Sequence, residues 1–211
     1  MGVQYRGCSH LYYATVTEAS DGTLTFGTPA QIAPVKSVSR DISSESEKIF
    51  ADNVLQDAMF GANTVTRSFD TIKIADSVQA ALLGDSTITV GTGTSAKTAY
   101  ASAPDGSAKP LIAVGYALHD GDASRPCLLV WSFLNKCNSI SQSSSTIDDG
   151  TGSEGQTIEF EGYNPKKEWT ATGKRESDFK LPLDTSVDNS SLVSTFFSQV
   201  VTPDNASTVL A

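Results

Sequence analysis

Catalysis and metal binding depend on a few versatile side chains, and this chain holds only two His and three Cys among its 211 residues. The run His119-Asp120-Gly121-Asp122 sets an imidazole beside two carboxylates, the donor types that ligate zinc or relay protons. Consecutive residues on a turn point apart, and no paired His elsewhere supplies a third ligand, so the run reads as a solvated loop. Asp148-Asp149-Gly150 with Glu154 has the carboxylates of a calcium loop without their alternate-position register, and reads as a hairpin loop. Gly91-x-Gly93 with Lys97 lacks the Gly-Lys-Ser/Thr that closes a phosphate loop. Cys8, Cys127 and Cys137 carry no local nucleophile signature, and Cys127, heading an apolar run, is expected to be a buried structural thiol. No catalytic residue, cofactor or metal is expected, and the chain is not expected to be an enzyme.

Composition narrows the partners. The formal net charge is −9 and the isoelectric point is near 4.6. Nucleic-acid binding relies on Lys and Arg displacing counterions, so an acidic chain does not grip a phosphate backbone. The stretch 166–180, with Lys166, Lys167, Trp169, Lys174 and Arg175, is locally basic, but Glu168, Glu176 and Asp178 interleave it. It reads as a charge-mixed face meeting another protein. An odd number of Cys and a Met1 end without an apolar leader lead to the expectation of a reducing compartment. No apolar run approaches the ~18 residues of a membrane span, so no membrane partner is expected.

The elements that would carry such surfaces are mostly β. Ser, Thr and Gly are frequent, charged residues are only 18%, and helix-forming runs are short. Residues 11–28 form a hairpin signal around Ser20-Asp21-Gly22. Residues 35–47 read as an exposed strand or arm. Residues 48–61 fit either a helix face or a strand-turn-strand unit; the latter is preferred, with its turn at Asp52-Asn53. A strand over 62–74 then leads to a helix expected to be capped by Ser77 and stopped by Gly84. Residues 87–107 read as a loop. The runs 111–118 and 127–134 are apolar at alternate and intervening positions, so both faces of each are covered. Residues 156–163 alternate with Ile158 and Phe160 inward. A helix over 188–201 is expected to be capped by Asn189 or Ser190 and to end at Pro203. The expectation is one domain spanning 1–211, built as two packed antiparallel sheets in a sandwich or barrel. A short flanking helix and a C-terminal helix would complete it, with mobile loops near 35–46, 91–107 and 141–155.

The order KIFADNVLQDAMFG, IADSVQAALLG, PLIAVGYAL, CLLVWSFLNK, TIEFEGY and FFSQV resembles the major tail (tail tube) proteins of long, non-contractile phage tails. That resemblance covers roughly residues 5–200. It implies a structural virion protein that stacks as hexameric rings, with hairpins from six subunits closing an inner barrel through which DNA passes without specific binding. Its implied partners are further copies of itself, a tape-measure protein, a tail terminator and a distal tail protein. Assembly would take place in the host bacterial cytoplasm, and no catalytic residues carry over. Carboxylates lining such a conduit keep DNA hydrated and moving, so Asp41, Glu45, Glu47, Asp52 and Asp57 are expected to face the lumen. The alternative is a carbohydrate-binding or adhesin-type β-sandwich, which would display exposed aromatics; Trp169 is the residue placed to do so.

Overall fold

The computed structural model describes residues 5–51, 54–102, 109–121, 125–142 and 155–210, and the side chains of 45–63 lie outside that description. Among these residues eleven strands and three helices follow one another. They are β1 (Tyr5–Glu18), β2 (Leu24–Phe26), β3 (Ala30–Gln31), β4 (Val35–Ala51), β5 (Val54–Thr71), α1 (Asp76–Leu83), β6 (Ser86–Val90), β7 (Lys97–Ala101), β8 (Ile112–Asp120), β9 (Pro126–Gln142), β10 (Gln156–Gly162), β11 (Asp178–Pro182), α2 (Ser190–Ser198) and α3 (Ala206–Val209). The mostly β expectation holds. Nine strands make one antiparallel sheet in the order β2-β1-β8-β9-β10-β5-β4, with β3 on β1 and β11 on β9, while β6 and β7 form a separate ribbon.

Strand β9 organises the large sheet because it is long enough to take different partners along its length. Its first half pairs with β8 on one edge and β11 on the other, and from Asn135 onward β10 takes over. Both faces of β8 and β9 are covered, as their continuous apolar runs require. Ile112, Val114, Tyr116 and Val130 enter one core with Leu11, Phe69, Ile158, Phe160 and Leu82 of α1. Ala113, Ala117, Leu129, Trp131 and Phe133 enter the other with Phe196 and Phe197 of α2. Trp131 is fully buried and donates its indole N–H to the Phe196 carbonyl at 3.0 Å, so the polar edge of the ring is satisfied. Gly115 lies opposite Trp131 in the register, and a Cβ there would come within 2.8 Å of the indole.

Several local expectations are corrected. Helix α1 starts at Asp76, one residue before the expected cap, so Ser77 lies inside the first turn and no side chain caps the helix. The carbonyl of Ala75 begins the ladder by accepting from Val78 and Gln79. Gly84 does stop it, at φ 77°, donating back to Ala80. At α2 the Asn189 amide is drawn away to the Asp184 carbonyl at 2.7 Å, and Asp188 instead accepts from the Ser190 N–H at 3.0 Å. Residues 86–101, all but the first of them within the expected loop, form the β6–β7 ribbon with a 3₁₀ turn at Gly93–Ser95. The stretch 35–46 lies in β4, the exposed-strand form of the expected arm. Of the other two expected loops, 103–108 and 143–154 lie outside the described residues. No helix among the described residues is long and apolar enough to cross a membrane.

Candidate assembly surface

Strands β4 and β5 are much longer than the mean strand of about 5–6 residues. They pair antiparallel from Val35↔Thr71 up to Ala51↔Val54, so 48–51 and 54–61 are strand rather than helix, while the expected turn at Asp52-Asn53 lies outside the described residues. Strand β10 pairs with β5 only between Val65 and Thr71. Beyond Ser43↔Thr64 the two strands therefore continue with no strand partner but each other among the described residues. At ~3.3 Å per residue, the nine residues from Ser43 to Ala51 carry the ribbon about 30 Å past the sheet. A lone two-stranded ribbon is marginally stable in water, because it covers neither its faces nor its outer edges.

The ribbon is held at its root by charge. Arg40 and Arg67 are cross-strand neighbours in the β4–β5 register. Two guanidiniums placed opposite each other repel, and β11 supplies the countercharge. Asp178 accepts from Arg67 Nη2 through Oδ1 at 2.5 Å and from Arg40 Nη2 through Oδ2 at 2.8 Å. Arg67 is fully buried and also donates to Asn135 Oδ1 at 3.0 Å. A Cβ at Gly162 would meet Arg67 Nη1 at 2.6 Å, so the small residue there leaves room for the guanidinium. Sequence reasoning missed this cluster, since Arg40, Arg67 and Asp178 lie far apart in the chain. Its one legible signal was an Arg inside a β-branched strand.

From this root, one face of β9, β10, β5 and β4 is polar. On β10, Gln156, Ile158 and Phe160 are buried while Thr157, Glu159 and Glu161 alternate outward. In register with them across β5 stand Asp70, Ser68 and Thr66, and on β4 Ser37, Ser39 and Asp41. Asp70 accepts from Ser37 Oγ at 2.6 Å and from Thr157 Oγ1 at 2.7 Å. Those two hydroxyls hold its carboxyl below the usual carboxylate range. Glu159 accepts from Ser139 Oγ at 3.0 Å, and Glu161 pairs in register with Lys136. The result is an anionic surface of short hydroxyls and fixed carboxylates.

Of the residues expected to face a lumen, Asp41 lies on this face, exposed, opposite Thr66. Glu45 and Glu47 belong to β4 and Asp57 to β5, all on the projecting ribbon, with their side chains outside the described residues; Asp52 lies outside entirely. Asp70, Glu159 and Glu161 join Asp41, and they were not among the expected lumen residues.

Among the described residues the chemistry-bearing motifs do not converge. No group of three or more His, Cys, Asp or Glu able to hold a metal occurs among the described residues. His119 is buried rather than solvated, because β8 runs on to Asp120. Its Nε2 lies 2.7 Å from Ser9 Oγ, which also meets His10 Nδ1 at 2.6 Å. Cys127 is only half-buried; the buried thiol is Cys137, which burial pushes up to about 12. The stretch 166–180 spends several of its charges on its own chain. Lys166 pairs with Glu18 at 2.8 Å, and Lys167 and Arg175 approach Asp21 and Glu168 at 3.9 Å. Trp169 is half-buried, packed on Phe133 with centroids 4.8 Å apart and donating to the Glu176 carbonyl.

No family model matches this chain, and no curated protein matches it. Among solved structures it is similar to a chain of the sheath–tube complex of an extracellular contractile injection system, PVC, in the extended state, at 9% identity and a TM-score of 0.41 over 82% of this chain and 90% of that one. It is also similar to a chain of the six-fold symmetrised baseplate of the anti-feeding prophage, at 8% identity and 0.41 over 86% and 96%. A chain from the tail of an empty GTA particle, refined with C6 symmetry, gives 12% identity and 0.35 over 71% and 90%.

Proposed function

We propose that the chain is a structural tail-tube subunit that stacks as hexameric rings into the conduit of a long, non-contractile phage tail, assembled in the bacterial cytoplasm. The observation that carries this reading is the continuity of the acidic, hydroxyl-rich face of β9, β10, β5 and β4 with the projecting β4–β5 ribbon. Neighbouring copies would cover the ribbon's edges, and the face would become the wall of the bore. Carboxylates there repel a phosphate backbone and let DNA and a tape-measure protein slide. Asp41, with Glu45, Glu47, Asp52 and Asp57 of the ribbon and its tip, would line that wall. A tail terminator and a distal tail protein would close the two ends, and the chain would act as one unit over residues 1–211. An adhesin reading loses its aromatic, since Trp169 packs inward.

Negative-stain microscopy of the concentrated protein tests the reading, with hollow tubes as the expected result. A Ser39→Cys variant should react with a bulky maleimide before assembly and be protected inside intact tubes. A protein that stays a lone particle at every concentration, or tubes in which the thiol introduced at position 39 remains fully reactive, would defeat it.

A further inference from the structure

Asp178 divides its carboxylate between two guanidiniums, Oδ1 taking Arg67 Nη2 and Oδ2 taking Arg40 Nη2. A carboxylate that faces a single Arg fills both donors of one guanidinium edge, Nε and Nη. Here each edge receives one oxygen, and both Nε atoms are shielded from solvent with no acceptor among the described residues. The charge is unbalanced in the same place, since two guanidiniums share one carboxylate. Arg67 is fully buried, so water does not screen the excess. Arg40 instead reaches a cleft of about 560 Å³, whose wall it shares with Tyr116, Val130 and Lys180. Lys180 is exposed, lies two residues beyond Asp178 on β11, and makes no ion pair among the described residues. Lys36 and Arg6 also border the cleft, but Lys36 acts on Asp70 and Arg6 is engaged within the chain, so neither enters this balance. Arg40 alternates with Ser39 and Asp41 along β4, which puts it on the opposite side of the sheet from the acidic face.

We propose that this corner of the cleft binds a small oxyanion of the phosphate class, free in solution, with one oxygen on Arg40 Nε and another on the Lys180 ammonium. A water molecule accepts from an N–H but leaves the surplus charge where it is, and an uncompensated charge in a buried cluster is costly. Chloride brings the charge on a single acceptor atom. An oxyanion offers several oxygens at the spacing that a guanidinium fork matches, so it meets the Arg and the Lys together. Bound there, the ion completes the edge that Asp178 half fills and ties β4 to β11 at the foot of the β4–β5 ribbon. The site goes beyond the tube reading and does not depend on it.

Isothermal titration of inorganic phosphate into the unassembled protein, at constant pH and with ionic strength held by sodium chloride, tests the site. One saturable site per chain is expected, with a dissociation constant on the order of 1 mM, the weak affinity of a partly solvated ion pair. Arg40→Lys keeps the charge and loses the fork, and should weaken binding about tenfold. Lys180→Gln should weaken it about threefold. Arg40→Gln should abolish it and still fold, because Arg67 and Asp178 then form a balanced pair. In urea unfolding, phosphate should raise the midpoint of the wild-type protein more than that of Arg40→Gln, a comparison that removes the general stabilisation excluded phosphate gives any protein. Lys180→Gln carries the same comparison should Arg40→Gln fail to fold. No saturable binding, or binding equal in the wild type, Arg40→Lys and Lys180→Gln, leaves an adventitious ion only and overturns the proposal. So does an affinity that falls as the protein concentration is raised, which would assign the acceptor to a carboxylate of a neighbouring copy.

Discussion

Replacing Asp178 by Ala removes the carboxylate between two guanidiniums and should be among the most damaging single changes in the molecule. Arg40 has 27% of its side chain exposed and can recover water, whereas Arg67 has none exposed and cannot. What remains is a buried, uncompensated charge facing a like charge across the β4–β5 register. Breaking a buried ion pair from one side costs about 3–5 kcal/mol. For a chain of this size that corresponds to roughly 6–20 °C in melting temperature. Urea unfolding of the unassembled protein should show a lower midpoint with an unchanged slope, marking a loss of stability rather than a change in the surface exposed. The companion variant Arg67→Met/Asp178→Leu removes both charges and should recover most of the loss, because apolar replacement of a buried pair is often neutral. A loss under about 1 kcal/mol for Asp178→Ala, or a double variant as unstable as the single, would refute the account of the ribbon's root.

Three further outcomes follow from packing and titration. Gly115→Ala should cost about 1–3 kcal/mol in urea unfolding, since its Cβ would press on a buried indole that cannot swing aside. Cys137 should resist iodoacetamide in the folded protein, its thiol being buried and pushed up to about 12, while the half-buried Cys8 and Cys127 react slowly and all three react in urea. Burial, and then the nearby His119, lowers the His10 pKa in the folded chain, so the fold favours neutral imidazole. The unfolded chain takes up the proton first, so this contribution is intact above the ordinary His value and shrinks as pH falls through it, levelling off below the native value. Urea midpoints should drop between about pH 7.5 and 5.5, and less so in His10→Asn, which tolerates the left-handed backbone at φ 56°.

What the sequence revealed was whatever a short window contains. The paired strands at 48–51 and 54–61, the alternation of Ile158 and Phe160, the doubly covered runs of β8 and β9 and the stop at Gly84 all follow from local chemistry, and the structure holds each of them. What stayed hidden depends on distant chain. In the β6–β7 ribbon Ile88 and Val90 do alternate with Thr87 and Thr89, but the Gly-, Ser- and Thr-rich residues that follow hid the pairing, and the ribbon is mostly exposed. Asn189 holds the N-cap position of α2 but spends its amide on the Asp184 carbonyl, a competition that residue types alone do not decide. Cys137 rather than Cys127 is the buried thiol because β9 runs well past its apolar core, carrying Cys137 in under β10. The acidic face was half legible. Glu159 and Glu161 point outward by alternation, but only the register sets them beside Asp70 and Asp41.

The three charges at the ribbon's base are contributed by residues 40, 67 and 178. During synthesis the two arginines leave the ribosome long before the acid that reconciles them. For more than a hundred residues of translation the hairpin's foot is electrostatically unfinished, and firm seating must wait for residue 178. The nascent chain thus keeps its longest hairpin poorly anchored until β8, β9 and β10 have all been made.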